Sequence, residues 1–369
     1  MKFKPALLLI ILTITYYQTT AQKIKAGFNP QEYKELLAIS VKNYYPSETK
    51  NIPYPANYER KYRSQPMGLD NVWELWTNTD SIAVISIRGT SADPSSFLAN
   101  AYAAMVSAKG KLTIAENNVF EYELSENPKA AVHIGWLTSM AFLSQDIIPK
   151  IDSCYQTGIK DIYITGHSQG GAIAILMTSY FSNLQKQGII PQDIRFKTYS
   201  SAGPKVGNQY FANNYSILTQ DGWGYNVINP NDWVPESFLT VQTMEDFPDI
   251  NIFATVKEGI DNQSFFKKIM GKALYNKVAN PSKKAQRKYQ KYFGKMVSNK
   301  IKEKLPGFIS PTYYHSSNYI QSGNIYVLKA DSDYHKLFPY DKTKLMQHHQ
   351  PNAYYYLINE VLKRDSTNR

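Results

Sequence analysis

The sequence contains almost no cysteine and none of the common metal or nucleotide motifs. Its only cysteine is Cys154, so no disulfide can form within the chain. Stability must come from buried apolar surface, which a chain of 369 residues can supply. CxxC, HExxH and phosphate-loop patterns are all missing from the sequence. We therefore expect no metal and no cofactor.

The N-terminal apolar stretch is too short to cross a bilayer. Ala6–Ile14 follows two lysines and falls well short of the roughly 20 residues that a spanning helix needs. Thr19 and Ala21 place small residues at the −3 and −1 positions of a cleavage site. The pattern predicts a signal peptide over residues 1–21 and an exported protein, periplasmic or secreted. A membrane anchor is the alternative.

Positive charge is in excess, but in one segment only. Residues 251–304 hold 14 Lys and Arg against 3 acidic residues, an excess of +11 that equals the formal net charge of the chain. The rest of the chain is therefore balanced. An excess confined to one segment of an exported protein, without a nucleic-acid-binding module, argues against nucleic acid as a partner. No obligate protein partner is indicated.

Apolar strand-like runs alternate with helical stretches along the chain. Strands are predicted at 82–87, 159–165, 196–201, 225–228 and 325–328. Helices are predicted at 97–106, at 170–184 and from about Asn352 to the end. This alternation is typical of an α/β fold with a mostly parallel central sheet flanked by helices. We expect residues 22–369 to form a single domain of this kind.

Gly166-His167-Ser168-Gln169-Gly170 lies between a predicted strand and a predicted helix. In this position a G-x-S-x-G sequence forms a sharp turn that projects the serine above the sheet edge. The glycines allow a close approach of backbone that a Cβ would block. The pattern therefore predicts Ser168 as a nucleophile and the backbone N–H of Gln169 as an oxyanion-hole donor. An ordinary strand–helix turn is the alternative.

A nucleophilic serine needs an acid and a histidine base further along the chain. Asp232 follows the predicted strand 225–228 directly, where this fold carries its acid. Stabilisation of a turn is the other interpretation of this aspartate. The histidines downstream are His315, His335, His348 and His349. Pro351 keeps the last two out of the closing helix, and a loop histidine beside a packed helix suits a base.

Four further stretches are informative: Ser86-Ile87-Arg88-Gly89-Thr90, Val132-His133-Ile134-Gly135-Trp136, Ser201-Ala202-Gly203-Pro204-Lys205-Val206-Gly207-Asn208, and Asn231-Asp232 followed by Val234-Pro235. Together with the G-x-S-x-G sequence, they resemble the fungal-type, or class 3, triacylglycerol lipase family of the α/β-hydrolase fold. The resemblance runs from about Val72 to Val361, interrupted by a basic insertion at about 251–309. It implies an α/β-hydrolase fold with this insertion before the last helix.

The resemblance also implies roles for individual residues. Thr90 would supply the second oxyanion-hole donor, and His133 would be structural. His315 would belong to a non-catalytic stretch, while His349, followed by Tyr354, would be the base. His348 lies one position before the residue that matches the base of the family.

Gln169 departs from the family, whose members usually have leucine after the nucleophile. By resemblance, residues 91–107 correspond to a lid helix that rests on the active site and opens at lipid. The apolar residues that suit such a helix are Phe97, Leu98, Tyr102, Met105 and Val106. Packing of these residues in the core is the alternative.

The resemblance implies an exported lipase with the triad Ser168, Asp232 and His349 and an oxyanion hole at Thr90 and Gln169. A phospholipase A1 or a short-chain carboxylesterase with the same triad is an alternative. A lipid-binding protein without catalysis is the alternative outside enzymes.

Within the basic insertion, apolar residues recur every three or four positions between lysines over Gln263–Lys304. This spacing predicts two amphipathic basic helices separated at Pro281. The cationic face is expected either to be solvated on a packed hairpin or to make transient contact with an anionic membrane or lipid surface.

Overall fold

The computed structural model describes residues 23–251, 261 and 265–367. The predicted signal peptide, 1–21, lies outside the described residues. The strands are β1 (Tyr58–Arg63), β2 (Trp73–Asn78), β3 (Ile82–Ile87), β4 (Met105–Ser107), β5 (Lys109–Ala115), β6 (Asn118–Glu123), β7 (Ala131–His133), β8 (Asp161–His167), β9 (Arg195–Ser201), β10 (Gly224–Ile228) and β11 (Asn324–Val327).

The helices are α1 (Pro30–Val41), α2 (Pro94–Ala101), α3 (Ile134–Gln156), α4 (Gln169–Lys186), α5 (Gln209–Leu218), α6 (Phe265–Gln290), α7 (Val297–Lys304), α8 (Ser332–Leu337) and α9 (Pro351–Thr367). A π-helical stretch, Lys291–Met296, joins α6 to α7.

A seven-stranded sheet with the order β1-β2-β3-β8-β9-β10-β11 forms the centre of the fold. The five strands from β3 to β11 in this order are parallel, whereas β2 is antiparallel to both of its neighbours. The α/β-hydrolase prediction of a mostly parallel sheet flanked by helices is therefore confirmed. Because the central strands are parallel, the loops after β8 and β10 leave the sheet at the same edge. This edge carries Ser168 and Asp232.

Apolar layers cover both faces of the sheet. Along β3, Ala83, Ile85 and Ile87 pack with α3 and α4 on one face, and Ile82 and Val84 pack with α1 and α9 on the other. Successive strand residues point to opposite faces, so a continuous apolar run is what a strand buried on both sides requires.

The helix predicted over 97–106 is shorter than expected. Helix α2 ends at Ala101, and Met105–Ser107 forms β4, which pairs with β7. The backbone of the intervening segment is bonded to other elements: the N–H of Ala104 donates to the carbonyl of Phe293, and its carbonyl accepts from Ile134. These tertiary bonds outweigh the helix propensity of an alanine-rich stretch.

The predicted break at Pro281 is wrong, because α6 continues through this residue to Gln290. The carbonyl that proline leaves without a donor belongs to Lys277, an exposed residue where water can replace the lost bond. The helix is instead irregular at Lys291–Met296. There a Cβ on Gly294 would lie 3.0 Å from the Cβ of Ala104, so glycine permits close packing. Residues 263 and 264 of the predicted helical segment lie outside the described residues.

The C-terminal part of the insertion packs into the main core. Ile301, Leu305 and Phe308 are buried and belong to the same apolar cluster as α3 and α4. Within the part of the chain that the structure describes, no helix is both long and apolar enough to cross a membrane.

Candidate active site

Ser168 occupies a strained turn between β8 and α4, with φ 59° and ψ −128°. Its backbone N–H donates to the carbonyl of Ser201 at 2.8 Å. A Cβ on Gly166 would lie 2.4 Å from the carbonyl carbon of Gly170, and a Cβ on Gly170 would lie 2.2 Å from the carbonyl oxygen of Ile87. The glycines on both sides of the serine are therefore required by the close approach of backbone, as the sequence predicted.

Three predicted residues meet in a hydrogen-bonded row. His349 Nε2 lies 2.8 Å from Ser168 Oγ, and His349 Nδ1 lies 2.7 Å from Asp232 Oδ2. A carboxylate only accepts, so Nδ1–H donates to Asp232 and Nε2 is left to accept the Ser168 hydroxyl hydrogen. All three are buried, with Ser168 9% exposed, His349 6% and Asp232 4%. This arrangement can deprotonate a serine as it attacks a carbonyl.

Asp232 is held by two further donors. Its Oδ1 accepts from the N–H of Val234 at 2.9 Å, and its Oδ2 accepts from the hydroxyl of Tyr354 at 2.7 Å. The Tyr354 oxygen in turn accepts from the N–H of Asn229. Burial, together with the charge of Asp232, raises the pKa of Tyr354, so its hydroxyl stays protonated. In the sequence, Tyr354 served only to identify His349 as the residue that matches the base of the family, and its contact with Asp232 was not predicted.

His167 was given no role by the sequence, yet it holds the backbone of His349. Its Nε2 donates to the His349 carbonyl at 2.9 Å, and its Nδ1 accepts from the Ser201 hydroxyl at 3.1 Å. The oxygen of Ser201 lies 2.8 Å from the hydroxyl of Tyr33 on α1. Burial, reinforced by the nearby His349 ring, lowers the pKa of His167 to about 3, so the ring is neutral at ordinary pH.

His133 is a second buried neutral histidine, and its side chain caps the N-terminus of α3. Its Nδ1 accepts from the N–H of Trp136 at 3.3 Å, and its Nε2 donates to the carbonyl of Asn100 at 3.2 Å. Burial lowers the pKa of His133 to about 3.

We expect the free energy of unfolding to fall as pH decreases below about 6.5. His133 and His167 have folded-state pKa values of about 3, below the ordinary value of 6.5. Between these values only the unfolded chain binds the protons, so the stability present above pH 6.5 is lost as pH falls towards 3. Each histidine contributes a slope of up to ~1.4 kcal/mol per pH unit. Urea unfolding followed between about pH 5 and 7.5 measures this slope.

His133→Gln keeps a side chain that can donate and accept but cannot be protonated. Its free energy of unfolding should therefore depend less steeply on pH than that of the wild type. Equal slopes in the two proteins would contradict a neutral buried His133.

The other downstream histidines lie away from Ser168. His348 Nδ1 is 2.7 Å from the hydroxyl of Tyr334, and its carbonyl accepts from the side chain of Asn229. His315 and His335 are exposed. Only His349 among the four is bonded to both Ser168 and Asp232.

The predicted oxyanion-hole residues, Thr90 and Gln169, line the same cavity as Ser168. Gln169 opens α4, so its backbone N–H belongs to the first turn, whose amides have no helical acceptor. A Cβ on Gly89 would lie 2.7 Å from the carbonyl oxygen of His167, which shows how closely the loop carrying Thr90 approaches the turn. The Thr90 hydroxyl oxygen accepts from the side chain of Asn100 at 2.9 Å. Its hydrogen therefore remains available for another acceptor.

A cavity of about 790 Å³ opens at Ser168 and His349. Its apolar wall includes Phe97, Trp136, Trp233, Phe238, Leu239 and Met346. Trp233 and Leu239 line the cavity and are each more than half exposed. The size and lining suit a long apolar group whose reactive end meets Ser168.

The predicted lid residues separate into two groups. Tyr102, Met105 and Val106 are buried in the core and Leu98 is partly buried against it, as the alternative interpretation proposed. Phe97 alone of the five lines the cavity, and it is 59% exposed.

The lipase (class 3) family model matches residues 84–242, which include β3, Ser168 and Asp232. Over these residues the chain is similar to the class 3 lipase family. The chain is 27% identical over 164 residues to secreted mono- and diacylglycerol lipase 1 of Fusarium solani, a match that covers 42% of this chain and 46% of the relative. The chain therefore spans about half the length of this curated relative.

Solved lipase structures are similar to a larger part of the chain than the family model covers. The Rhizomucor miehei lipase–propeptide complex is 19% identical, with a TM-score of 0.41, over 57% of this chain and 65% of that one. The Lip2 lipase from Yarrowia lipolytica is 21% identical, also with a TM-score of 0.41, over 57% of this chain and 74% of that one. Among the residues that the structure describes, there is no group of three or more potential metal ligands.

Proposed function

We propose that this chain is an exported serine hydrolase that cleaves carboxylic ester bonds of lipids. The observation that carries the proposal is the row Asp232–His349–Ser168, which ends at a hydroxyl facing a large apolar cavity. An acyl chain that reaches Ser168 through this cavity loses its contact with water. Burial of apolar surface therefore supplies binding free energy.

Ser168 attacks the ester carbonyl while His349 Nε2 takes its proton. Asp232 accepts the hydrogen bond from Nδ1–H of His349, which leaves Nε2 unprotonated and able to act as the base. The negative charge of Asp232 then stabilises the imidazolium that forms on His349. His349 then returns the proton to the leaving alcohol. Water repeats the sequence on the acyl-enzyme and releases the fatty acid.

Negative charge develops on the carbonyl oxygen during each attack. The backbone N–H groups of Gln169 and Thr90 and the hydroxyl of Thr90 are the donors proposed to hold it. Because these groups belong to a fixed turn and a fixed loop, little reorganisation is needed in the transition state.

Acylglycerols are the proposed substrates. Similarity to a secreted mono- and diacylglycerol lipase supports glycerides, and the apolar cavity lining supports a long acyl chain. A phospholipase A1 or a short-chain carboxylesterase would use the same triad. A lipid-binding protein without catalysis is the alternative outside enzymes, and the hydrogen-bonded triad argues against it.

A substrate panel tests the proposal. We expect hydrolysis of nitrophenyl esters and of di- and triacylglycerols, together with labelling of one serine, Ser168, by a fluorophosphonate. Preferential release of the sn-1 fatty acid from phospholipid would favour the phospholipase. Absence of both hydrolysis and labelling would leave only the non-enzyme alternative.

We further propose that the basic face formed by the C-terminal part of α6 and the π-helical stretch after it, here called the α6 face, contacts an anionic lipid surface. Lys284, Arg287, Lys288 and Lys291 are exposed at helical spacing of three or four residues. Tyr292 and Met296 beyond them are about half exposed. Cationic side chains beside exposed apolar ones are typical of helices that bind at a membrane interface. Lys283 is left out of this face because it is paired with Glu245 at 2.7 Å.

We expect binding to vesicles that contain anionic lipid to weaken steeply with added salt. Reversing the charges of Lys284 and Lys288 to glutamate should weaken it by about tenfold or more, at ~1 kcal/mol for each basic residue near the surface. Co-sedimentation with vesicles at several salt concentrations measures both effects.

The matched control reverses Lys25 and Lys329, which are exposed in other parts of the fold. This variant has the same net charge and should bind nearly as the wild type does. Both variants should hydrolyse a soluble short-chain ester at the wild-type rate. Equal loss of vesicle binding in both would mean that net charge, not the α6 face, is responsible.

The export of the chain is part of the proposal. The predicted signal peptide and the similarity to a secreted lipase support it. Cleavage before Gln22 during expression, measured by N-terminal sequencing of the exported protein, tests it.

A further inference from the structure

Gln169 is among the residues that line the cavity, and its side chain is hydrogen-bonded to Ser96 on α2. Its Nε2 donates to the carbonyl of Ser96, and its Oε1 accepts from the hydroxyl of Ser96, both at 3.2 Å. Both side chains are buried. A leucine, which the resemblance led us to expect at this position, has the bulk of glutamine but can make neither bond.

Ser96 is also hydrogen-bonded to the loop that carries Thr90. Its hydroxyl oxygen accepts from the N–H of Ser91 at 3.1 Å, and Ser91 directly follows Thr90. The row Gln169–Ser96–Ser91 therefore connects the two residues that are proposed to hold the oxyanion. A chain of buried hydrogen bonds of this kind fixes the separation of its two ends.

Asn100 attaches the other end of α2 to the same loop. Its side-chain nitrogen donates to the Thr90 hydroxyl at 2.9 Å, and its side-chain oxygen accepts from Trp136 Nε1 at 3.0 Å. Close backbone packing continues at Gly135, where a Cβ would lie 2.0 Å from the carbonyl oxygen of Ala99. Helix α2 is thus bound at both ends to elements of the central core.

The basic insertion also contacts α2 and the segment after it. Helix α7 packs against α2. The segment that follows α2 is bonded to the π-helical stretch through the Ala104 N–H and the Phe293 carbonyl. Movement of α2 as a hinged unit would break these contacts together with those of Ser96 and Asn100.

We propose that the Gln169 side chain is a positioning residue that keeps α2 beside the cavity and the oxyanion hole assembled in water, without a lipid surface. This inference rests on the proposed ester hydrolysis. It makes two statements: hydrolysis does not require an interface, and loss of the Gln169–Ser96 contact lowers kcat. The effect falls on kcat because the oxyanion forms only after the ester has bound.

The first test follows the rate on tributyrin through its solubility limit. The wild type should approach saturation smoothly, with no jump where emulsion appears. A sharp rise of the wild-type rate at that concentration would show that α2 has to move, and it would overturn the proposal.

The second test uses a soluble nitrophenyl ester. Gln169→Leu should lower kcat by about tenfold or more, up to the ~100-fold that follows loss of one oxyanion donor, with KM within about twofold. The pH dependence of kcat/KM should be unchanged, since His349 and Asp232 are not touched. Ser96→Ala should lower kcat in the same way, and the double variant should be little worse than either single one.

Gln185→Leu is the matched control. Gln185 lies on the same helix, and its side chain donates to the carbonyls of Pro191 and Ile194, away from the cavity. It should keep wild-type kcat, whatever its effect on stability. Should Gln169→Leu fail to fold, Ser96→Ala carries the test alone.

A kcat for both Gln169→Leu and Ser96→Ala within about twofold of the wild type would overturn the inference. Absence of ester hydrolysis and of Ser168 labelling in the wild type would overturn the proposed function instead, so the two failures are distinct.

Discussion

Replacing Ser168 with alanine is expected to reduce kcat for ester hydrolysis by ~10⁴-fold or more, which is the scale of losses when a triad nucleophile is removed. The hydroxyl supplies the attacking oxygen, and the other atoms near the reacting carbonyl cannot replace it. His349 remains bonded to Asp232, and the proposed oxyanion donors remain in place. A small residual rate above that of water is therefore compatible with the prediction.

The fold should tolerate this substitution. Alanine keeps the Cβ, so the strain of the positive φ at residue 168 is unchanged, and the loss of one hydroxyl opens no large cavity. The free energy of unfolding should change by less than about 1.5 kcal/mol, the scale of one hydrogen bond. Urea unfolding and nitrophenyl ester hydrolysis on the same samples measure both effects.

Ser179→Ala is the matched control. Ser179 is a buried serine further along α4, so the same atom is removed from the same helix. This variant should keep the wild-type rate. Retention of more than a few per cent of the wild-type kcat by Ser168→Ala would mean that another residue is the nucleophile.

The elements that the sequence predicted best are those whose signals are local. The turn at Ser168 is specified by glycines two residues away on each side, and the strands before and after it are continuous apolar runs. The clash that requires glycine at 166 is with Gly170, within the same five residues, whereas the clash at Gly170 is with Ile87 on the neighbouring strand β3. The loop position of His349 follows equally locally from Pro351.

The contacts that hold the triad were not predictable in this way. Tyr354 meets Asp232 across 122 residues of sequence, and His167 meets the carbonyl of His349 across 182. A tyrosine on an apolar helix face and a histidine beside a serine have no pattern that reveals such partners. Only the stacking of the sheet edge against α9 brings them together.

Two errors in the prediction of helices have related causes. Helix α2 ends early because the backbone around Ala104 bonds to the basic insertion, and α6 continues through Pro281 because the affected carbonyl is at an exposed residue. Local propensity carries no information about either environment. The predicted breaking effect of proline and the helix-forming effect of alanine were therefore both overridden by context.

The second large effect on kcat is expected from replacing His349, and it should distinguish this residue from the adjacent His348. His349→Ala is expected to lower kcat by ~10³-fold or more, since Ser168 then has no base and Asp232 has lost its imidazole partner. His348→Ala should keep kcat within about tenfold of the wild type, because this ring is bonded to Tyr334 and not to the serine. Nitrophenyl ester hydrolysis at saturating substrate measures both.

His348 is connected to the triad through other residues, and this connection determines how far kcat should fall in His348→Ala. Its carbonyl accepts from the side chain of Asn229, whose backbone N–H donates to Tyr354, the residue that donates to Asp232. The alanine variant keeps the carbonyl and loses only the ring contact with Tyr334. A modest fall in kcat is therefore expected, and a larger one would require the loop before α9 to shift.

His315→Ala is the control for the remaining alternative, and it should leave kcat unchanged because this ring is exposed. A reversal of the first two effects would make His348 the base and would require a different conformation of the loop before α9. Loss of activity in His315→Ala would contradict the triad as a whole. The expected order, with His349 far more sensitive than His348 and His348 at least as sensitive as His315, follows from the distance of each ring from Ser168 along the hydrogen-bonded network.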